Sequence, residues 1–471
     1  MQHHLANNVS DRPRPWRLIG LGVTVLLISA CTVSGKTEVP GSAGDWPAYG
    51  LDHSNSVHNK AERTLSPENV TELTEKWRVD GIGGLTGTPA VVNGIVYFGD
   101  WFGFVRAVGA DDGTVIWEKQ VSQVPISSSV AVTDEVVVAG DLAGVLHALG
   151  RDTGEQLWST HLNPLGASLF ASPVVIGESV VMGMTDTELG PDDPEFRASV
   201  VAIDIEDGAE QWRLHTDPDD GSGTWVPVWS SVAYDPERGL VFVGTGNTNG
   251  PAGVEWAETD LPLADGVLAI DHDTGEMVWF FQLIEADQQR DFDVGASPNL
   301  FTIGDRDVVG VGGKSGDYVV LDRDTGELVW KTHLTKGSAI GGVMSTAAIG
   351  DGVIYVGSNA SAIRDGTIFA LEASDGSILW QRQFDPAIVG GSMALANGVL
   401  YRGLWNFPDP EGTVVALDAD DGTVLWTDTL DAPLGGGFSI SAGTLYVGFG
   451  SGTGGRYKGP IEGGLIAYTL P

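Results

Sequence analysis

An all-β chain closed into an eight-bladed β-propeller is the fold this sequence predicts, on three observations. The first is a phrase that returns seven times: an apolar pair, an acidic turn closed by Gly, then three residues and Trp. Residues 269–279 carry it most plainly, and its Trp positions are Trp117, Trp158, Trp212, Trp279, Trp330, Trp380 and Trp426. The second is spacing, because each copy closes a set of four short apolar runs in about forty residues, the period of a propeller blade. The third is the remainder at each end. Residues 73–79 carry only the closing half of the phrase, ending in Trp77, and residues 464–470 only the opening half, so the two ends together predict an eighth blade and a ring without an open sheet edge.

Residues 1–30 read as an address. Arg12, Arg14 and Arg17 precede an apolar run over 18–28, too short to span a bilayer and suited to a signal peptide. The run ends at Ile28-Ser29-Ala30-Cys31, small residues before the single cysteine of the chain. That pattern resembles a bacterial lipobox and predicts cleavage before Cys31, lipidation of its thiol and a lipid anchor to a membrane outside the cytoplasm. Residues 31–44 read as a flexible tether of small and polar side chains, and 45–471 as the propeller.

Within the first blade, residues 88–92 are an apolar run and Asn93-Gly94 is a two-residue hairpin turn. Runs over 95–98 and 104–108 and the phrase ending at Trp117 complete four antiparallel strands. Later blades depart from this unit at three connections: residues 185–198, 244–266 and 283–296. Long loops in a compact repeat are more often functional than accidental. In a four-stranded antiparallel blade the second-to-third loops and the blade-to-blade connections emerge on one face. Glu188, Asn247 and Lys314 lie in the former, Trp229, Asp291 and Asp293 in or beside the latter, so all six are expected at one mouth. Carboxylates and a carboxamide there are suitable hard oxygen ligands for a cation; Trp229 offers a flat stacking surface and Lys314 a charge for an anionic ligand.

The formal net charge is −38. Residues 1–30 hold three Arg and one Asp, so the chain without them stands near −40. Nothing in such a chain could neutralise phosphates, which excludes nucleic acid as a partner. One cysteine permits neither an internal disulfide nor a Cys-x-x-Cys-His haem attachment, so electrons the protein handles leave to another molecule.

The phrase Ala-x-Asp-x-x-Thr-Gly-x-x-x-Trp resembles the tryptophan-docking repeat of the pyrroloquinoline quinone (PQQ) dehydrogenases, and the likeness runs from about Trp46 onwards. Phe98-Gly99-Asp100-Trp101, Gly295-Ala296-Ser297-Pro298-Asn299-Leu300-Phe301 and Gly313-Lys314-Ser315-Gly316 are most similar to the polyvinyl alcohol dehydrogenase branch. The resemblance implies a quinoprotein that oxidises an alcohol, secondary or polymeric in that branch, with PQQ and calcium or a lanthanide, passing electrons to a cytochrome c or a quinone. It implies that Thr185 and Lys314 bond the quinone, that Trp229 stacks on it, and that Asp291 is the catalytic base. Glu188 and Asn247 become metal ligands, joined by Asp291, and Asp293 adds the carboxylate that resembles the lanthanide-dependent members.

Three departures accompany the likeness. Residues 192–197 hold no cysteine pair where many members have one, Arg290 stands where a Trp usually precedes the catalytic Asp, and no arginine for a quinone carboxylate can be assigned. Trp101 reads as loop packing, and His147, His215 and His272 as structural. Phe170, Trp225, Trp405 and Phe438 either line an apolar mouth or pack blades. Non-enzymatic propellers share the repeat, so the alternative is a lipoprotein scaffold of the outer-membrane assembly type.

Overall fold

The computed structural model describes residues 44–163, 165–186, 196–217, 224–249, 262–285, 291–360, 365–406, 409–450 and 462–471, all within one compact unit, Thr37–Pro471. The expected leader, Cys31 and most of the tether lie outside the described residues, as do Glu188 and Arg290.

Eight sheets form, each antiparallel, and the only helix among the described residues is a single 3-10 turn, Val70–Glu72. Blade 1 comprises Ala90–Val92, Ile95–Gly99, Phe104–Gly109 and Val115–Gln120 in that order. Blades 2 to 7 repeat it over residues 131–161, 174–215, 233–282, 299–333, 348–384 and 388–430, the last with an additional short strand, Ile388–Val389. Blade 8 joins Phe438–Ser441, Thr444–Phe449 and Glu462–Thr469 to Thr74–Gly83, with Trp77 opposite Ala467. The ring therefore closes with its two ends in one sheet, so that the eighth blade is as complete as the other seven.

Burial follows position in the blade. The second strand of blade 4, Leu240–Gly244, is buried throughout, whereas in the outer strand Val115–Gln120 only Trp117 is buried. Each indole then reaches the next blade: seven Trp Nε1–H groups, from Trp77 to Trp380, donate to turn carbonyls of the following blade at 2.6–3.1 Å. The turn Gly lies flat against that indole. Gly275 has φ +72°, and a Cβ there would stand 2.7 Å from Trp212 Cδ2, so the repeat needs glycine both for its turn and for its neighbour's Trp. Trp426 meets a strand made by the chain's end instead, edge-on to Tyr468 at 5.1 Å.

Residues 46–59 bond to the innermost strand of every blade. Trp46 exchanges two backbone bonds of 2.7 Å with Val91, Val132 N–H donates to Pro47, and His53 Nε2 lies 2.8 Å from Val175 O. Tyr234, Leu300, Ile349 and Leu395 donate backbone N–H groups to His53, Ser54, Ser56 and Val57, and Asn59 Nδ2 donates to Ile440 O at 2.7 Å. Following so tight a circle requires left-handed backbone at Leu51, Asn55 and Val57, with φ +73°, +51° and +52°. For a β-branched Val this is a strained conformation that only surrounding bonds can hold.

Just before each innermost strand stands a small residue, and seven of the eight carry a hydroxyl: Thr88, Ser129, Ser172, Ser231, Ser297, Thr346, Ser392 and then Gly437. The backbone N–H groups of Thr88, Ser129, Ser172 and Ser231 each donate to the hydroxyl of the next blade at 2.8–3.1 Å. Tyr49 Oη bonds both Thr346 Oγ1 and Ser392 Oγ, at 2.8 and 2.9 Å, linking blades 6 and 7.

Candidate active site

Two residues before the ring hydroxyl Ser231 comes Trp229, in the connection from blade 3 to blade 4. Its indole extends over the next connection, because a Cβ on Gly295 would lie 1.7 Å from Trp229 Cη2. A larger residue at 295 would tip the ring. Trp229 is half-buried, with Lys314 Nζ 5.4 Å from its ring centroid, a cation–π distance.

Lys314 sits in the turn between the strands Arg306–Gly312 and Asp317–Asp322 of blade 5. Its backbone N–H donates to Asp293 O at 2.9 Å, its ammonium donates to Asp293 Oδ2, and Nζ stands 3.1 Å from Asp291 Oδ1. The second carboxyl oxygen of Asp293, Oδ1, accepts the backbone N–H of Asn247 at 2.7 Å. A Cβ on Gly246 would come within 2.6 Å of that oxygen, so the sequence Gly246-Asn247 lets the blade 4 loop close onto the carboxylate. Five of the expected site residues, Trp229, Asn247, Asp291, Asp293 and Lys314, are thus gathered from four connecting segments into one cluster.

Thr185 follows the second strand of blade 3, Ser179–Met184, and its hydroxyl donates to Asp186 Oδ1 at 2.6 Å. The preceding Met184 O accepts the N–H of Val228, which sets Thr185 beside the connection that carries Trp229. Glu188, the expected metal ligand, lies outside the described residues.

The acidic pair departs from expectation in its backbone. Residues two apart in an extended segment share a side, which by itself would turn both carboxylates the same way. Asp291 instead has φ +57°, a left-handed conformation, and the two carboxylates meet at the one ammonium of Lys314. They are also unequal: side-chain exposure is 48% for Asp291 and 6% for Asp293. Loss of hydration pushes the Asp291 carboxyl up to about 6; the Asp293 charge adds to the rise and Lys314 opposes it. For Lys314, burial lowers the pKa, but the two carboxylates outweigh it and the net shift is upward.

Other expectations resolve as packing. Trp225 and Phe438 are fully buried, Trp225 meeting Phe196 edge-on at 5.5 Å, whereas Phe170 and Trp405 are half-buried. Arg197 Nε donates to Asp217 Oδ2 at 2.8 Å, so the Phe196-Arg197 segment is structural where described. Trp101 Nε1 donates to Thr86 Oγ1 between two connecting segments of blade 1, and His147 Nε2 lies 3.1 Å from Asp141 Oδ2, buried in blade 2. The axial hydroxyls escaped notice in the sequence, although Ser or Thr recurring ahead of each innermost strand was a legible signal.

The sequence pattern of the glucose/ethanol/alcohol dehydrogenase β-propeller domain matches residues 164–336, the stretch that holds every residue of this cluster. Over that stretch the chain is similar to a PQQ-dehydrogenase β-propeller. A polyvinylalcohol dehydrogenase of Pseudomonas sp is 31% identical over 219 residues, 40% of this chain and 33% of that protein. The quinohemoprotein alcohol dehydrogenase ADH-IIG of Pseudomonas putida is 28% identical over 370 residues, covering 66% of this chain and 50% of its own length. The chain therefore spans a third to a half of the length of these two relatives. The solved structure of the Pseudomonas putida ADHIIG enzyme superposes with a TM-score of 0.77 at 22% identity, over 91% of this chain and 80% of that one, which establishes the shared fold. A separate pattern, that of the outer membrane protein assembly factor BamB, matches residues 410–458.

Among the described residues no three His, Cys, Asp or Glu side chains are grouped to hold a metal. The donors at the mouth are nevertheless of the right kind for the quinone and metal that the resemblance implies: a flat indole over a glycine, two carboxylates, a carboxamide residue and an ammonium. Planar aromatic stacking, hard-oxygen ligation and an anionic ring system are each provided for.

Proposed function

We propose that this protein is a quinoprotein dehydrogenase that oxidises an alcohol with PQQ and a bound metal ion outside the cytoplasm, lipid-anchored through Cys31. The observation that carries the reading is the convergence of Trp229, Asn247, Asp291, Asp293 and Lys314, drawn from separate blades to one mouth. When bound, the quinone and its metal supply the hydride acceptor and the Lewis acid.

The chain's own residues do the rest. Trp229 holds the planar ring by stacking, with Gly295 keeping the indole level. Lys314 and Thr185 donate hydrogen bonds to ring oxygens. Asp291, the more exposed carboxylate, takes the alcohol proton at Oδ, and its raised pKa suits a base that works near neutrality. Asn247 and Glu188 ligate the metal, and Asp293 adds a further anionic oxygen that favours a more highly charged ion, a lanthanide over calcium. The substrate is an alcohol, secondary or polymeric by likeness to polyvinylalcohol dehydrogenase, and the electrons pass to a separate cytochrome c or quinone.

Purified protein given PQQ with Ca²⁺ or La³⁺ should bind the cofactor, quench tryptophan fluorescence and reduce an artificial dye in the presence of an alcohol. Asp291→Ala should keep binding and lose turnover. Failure to bind PQQ under any metal overturns the reading and leaves the second one, a scaffold lipoprotein, which the match at residues 410–458 favours.

A further inference from the structure

Each blade's second strand has, just before its conserved-in-place glycine, a residue that points into the packing between blades. From Phe98 in blade 1 and Ala139 in blade 2 to Val447 in blade 8 this residue is apolar and buried, with one exception. In blade 7 it is Arg402, in the strand Val399–Trp405, and its side chain is fully buried at 0% exposure.

The neighbourhood is built to receive that guanidinium. Blades 4 and 5 set Val294 and Val343 against the equivalent glycines, Gly244 and Gly312; blade 6 sets the guanidinium of Arg402 against Gly357, where a Cβ would stand 2.7 Å from its Cζ. The incoming connection carries Gly390 and Gly391, which have no side chains to fill the place. Arg402 Nη2 donates to Ser345 Oγ at 3.2 Å, and Ser345 adjoins Thr346, whose hydroxyl meets Tyr49 Oη on the axis.

Nε and Nη1 of Arg402 have no hydrogen-bond partner among the described residues, and no carboxylate acts on its charge there. Burial pushes its pKa down to about 9, with Tyr49 opposing the fall, so it is charged at neutral pH. A buried, unpaired charge is among the most costly features a fold can hold, and natural proteins keep one only paired or ligated. The chemistry missing here is an anion that accepts from a guanidinium and stands among hydroxyls.

We propose that Arg402, with Ser345 and the neighbouring hydroxyls of Thr346 and Tyr49, forms a binding site for a small monoanion where blades 6 and 7 meet: a halide ion or a single carboxylate group. The unpartnered Nε–H and Nη1–H of Arg402 are the donors that hold it. The site does not depend on the quinone reading, although a carboxylate of that cofactor is one of two sources for the anion, free halide in the medium being the other.

Bromide introduced into crystals of the wild-type protein should give an anomalous peak within hydrogen-bond distance of Arg402. In solution, replacing methanesulfonate by chloride at constant ionic strength should raise the unfolding midpoint of wild type, in proportion to the logarithm of chloride once the site fills. Arg402→Met should lose that dependence, should be no less stable than wild type without halide, since the uncompensated charge is gone, and Arg402→Lys should keep part of it. In a second arm, PQQ affinity is read by tryptophan quenching in chloride-free medium. Absence of a halide effect with affinity about tenfold weaker in Arg402→Met supports the same site with the cofactor's carboxylate as its anion. Should wild type fail to bind PQQ, the quinone reading falls while the halide arm stands. No bromide peak, no halide dependence and equal PQQ affinity in both proteins overturn the proposal, as does an Arg402→Met protein less stable than wild type by the same margin with and without halide.

Discussion

Asp293 Oδ1 accepts the backbone N–H of Asn247 at 2.7 Å, while the other oxygen of the same carboxylate accepts from Lys314. One buried side chain thus ties the blade 4 loop to the blade 5 turn. Asp293→Ala strands both a backbone donor and a buried ammonium, so it should destabilise the metal-free protein by about 3 kcal/mol. Asp293→Asn, which keeps an acceptor for Asn247, should cost clearly less. Urea unfolding of the two variants beside wild type decides this, and equal losses would deny the bridging role.

The Asp291 carboxyl titrates near 6 in the folded, metal-free protein, above its ordinary value of 3.8. A carboxyl raised on folding opposes stability when ionised, so its penalty is absent below the unfolded pKa and grows as pH rises to the folded one. Asp291→Asn should therefore stabilise the metal-free protein at pH 7 and lose that advantage between about pH 6 and about pH 4. Thermal midpoints of both proteins across this range are the measurement; a difference independent of pH would count against it.

The docking of Trp212 on the turn at Gly275 has two separable parts. Trp212→Phe keeps a ring and drops the 2.6 Å bond to His272 O, for an expected loss of about 1 kcal/mol. Gly275→Ala adds a Cβ to a left-handed residue and drives it into the indole, and about 2 kcal/mol or more should follow. Denaturant midpoints in this order bear out the geometry; the reverse order would mean that the turn relaxes freely.

Asn55 holds the axial segment to two blades at once, its Nδ2 donating to Val232 O and Pro298 O at 3.1 and 3.0 Å, both buried. Asn55→Ala removes two bonds and places Ala at φ +51°, which predicts a loss of about 3 kcal/mol. Asn55→Asp retains the left-handed tolerance but offers acceptors to carbonyls, and should be worse than Ala. Hydrogen exchange at Leu300 and Tyr234, whose amides bond to the same segment, should rise in both.

Periodicity made the architecture legible. The recurring Gly and Trp of residues 269–279 and its six relatives were sufficient for blade number and strand order, and the half-phrases ending at Trp77 and opening at Gly464 for closure. These are local signals, since a turn residue and a strand's apolar run report on their own backbone. Topology then carried Trp229, Asn247, Asp291, Asp293 and Lys314 to one face, because antiparallel pairing assigns each loop an end. What the chain alone could not decide was anything set by distance across the axis. The left-handed backbone of Asp291 accompanies an ion pair with Lys314, 23 residues away. The passage of residues 46–59 along the innermost strands of all eight blades depends on eight separate strands already standing in a ring. Arg402 reads in sequence as one more basic residue in an acidic chain, and only the packing of blade 7 on Gly357 makes it a buried charge without a partner among the described residues. Repeats specify the frame through contacts a few residues apart; the site is assembled from side chains whose energies depend on neighbours that the frame alone supplies.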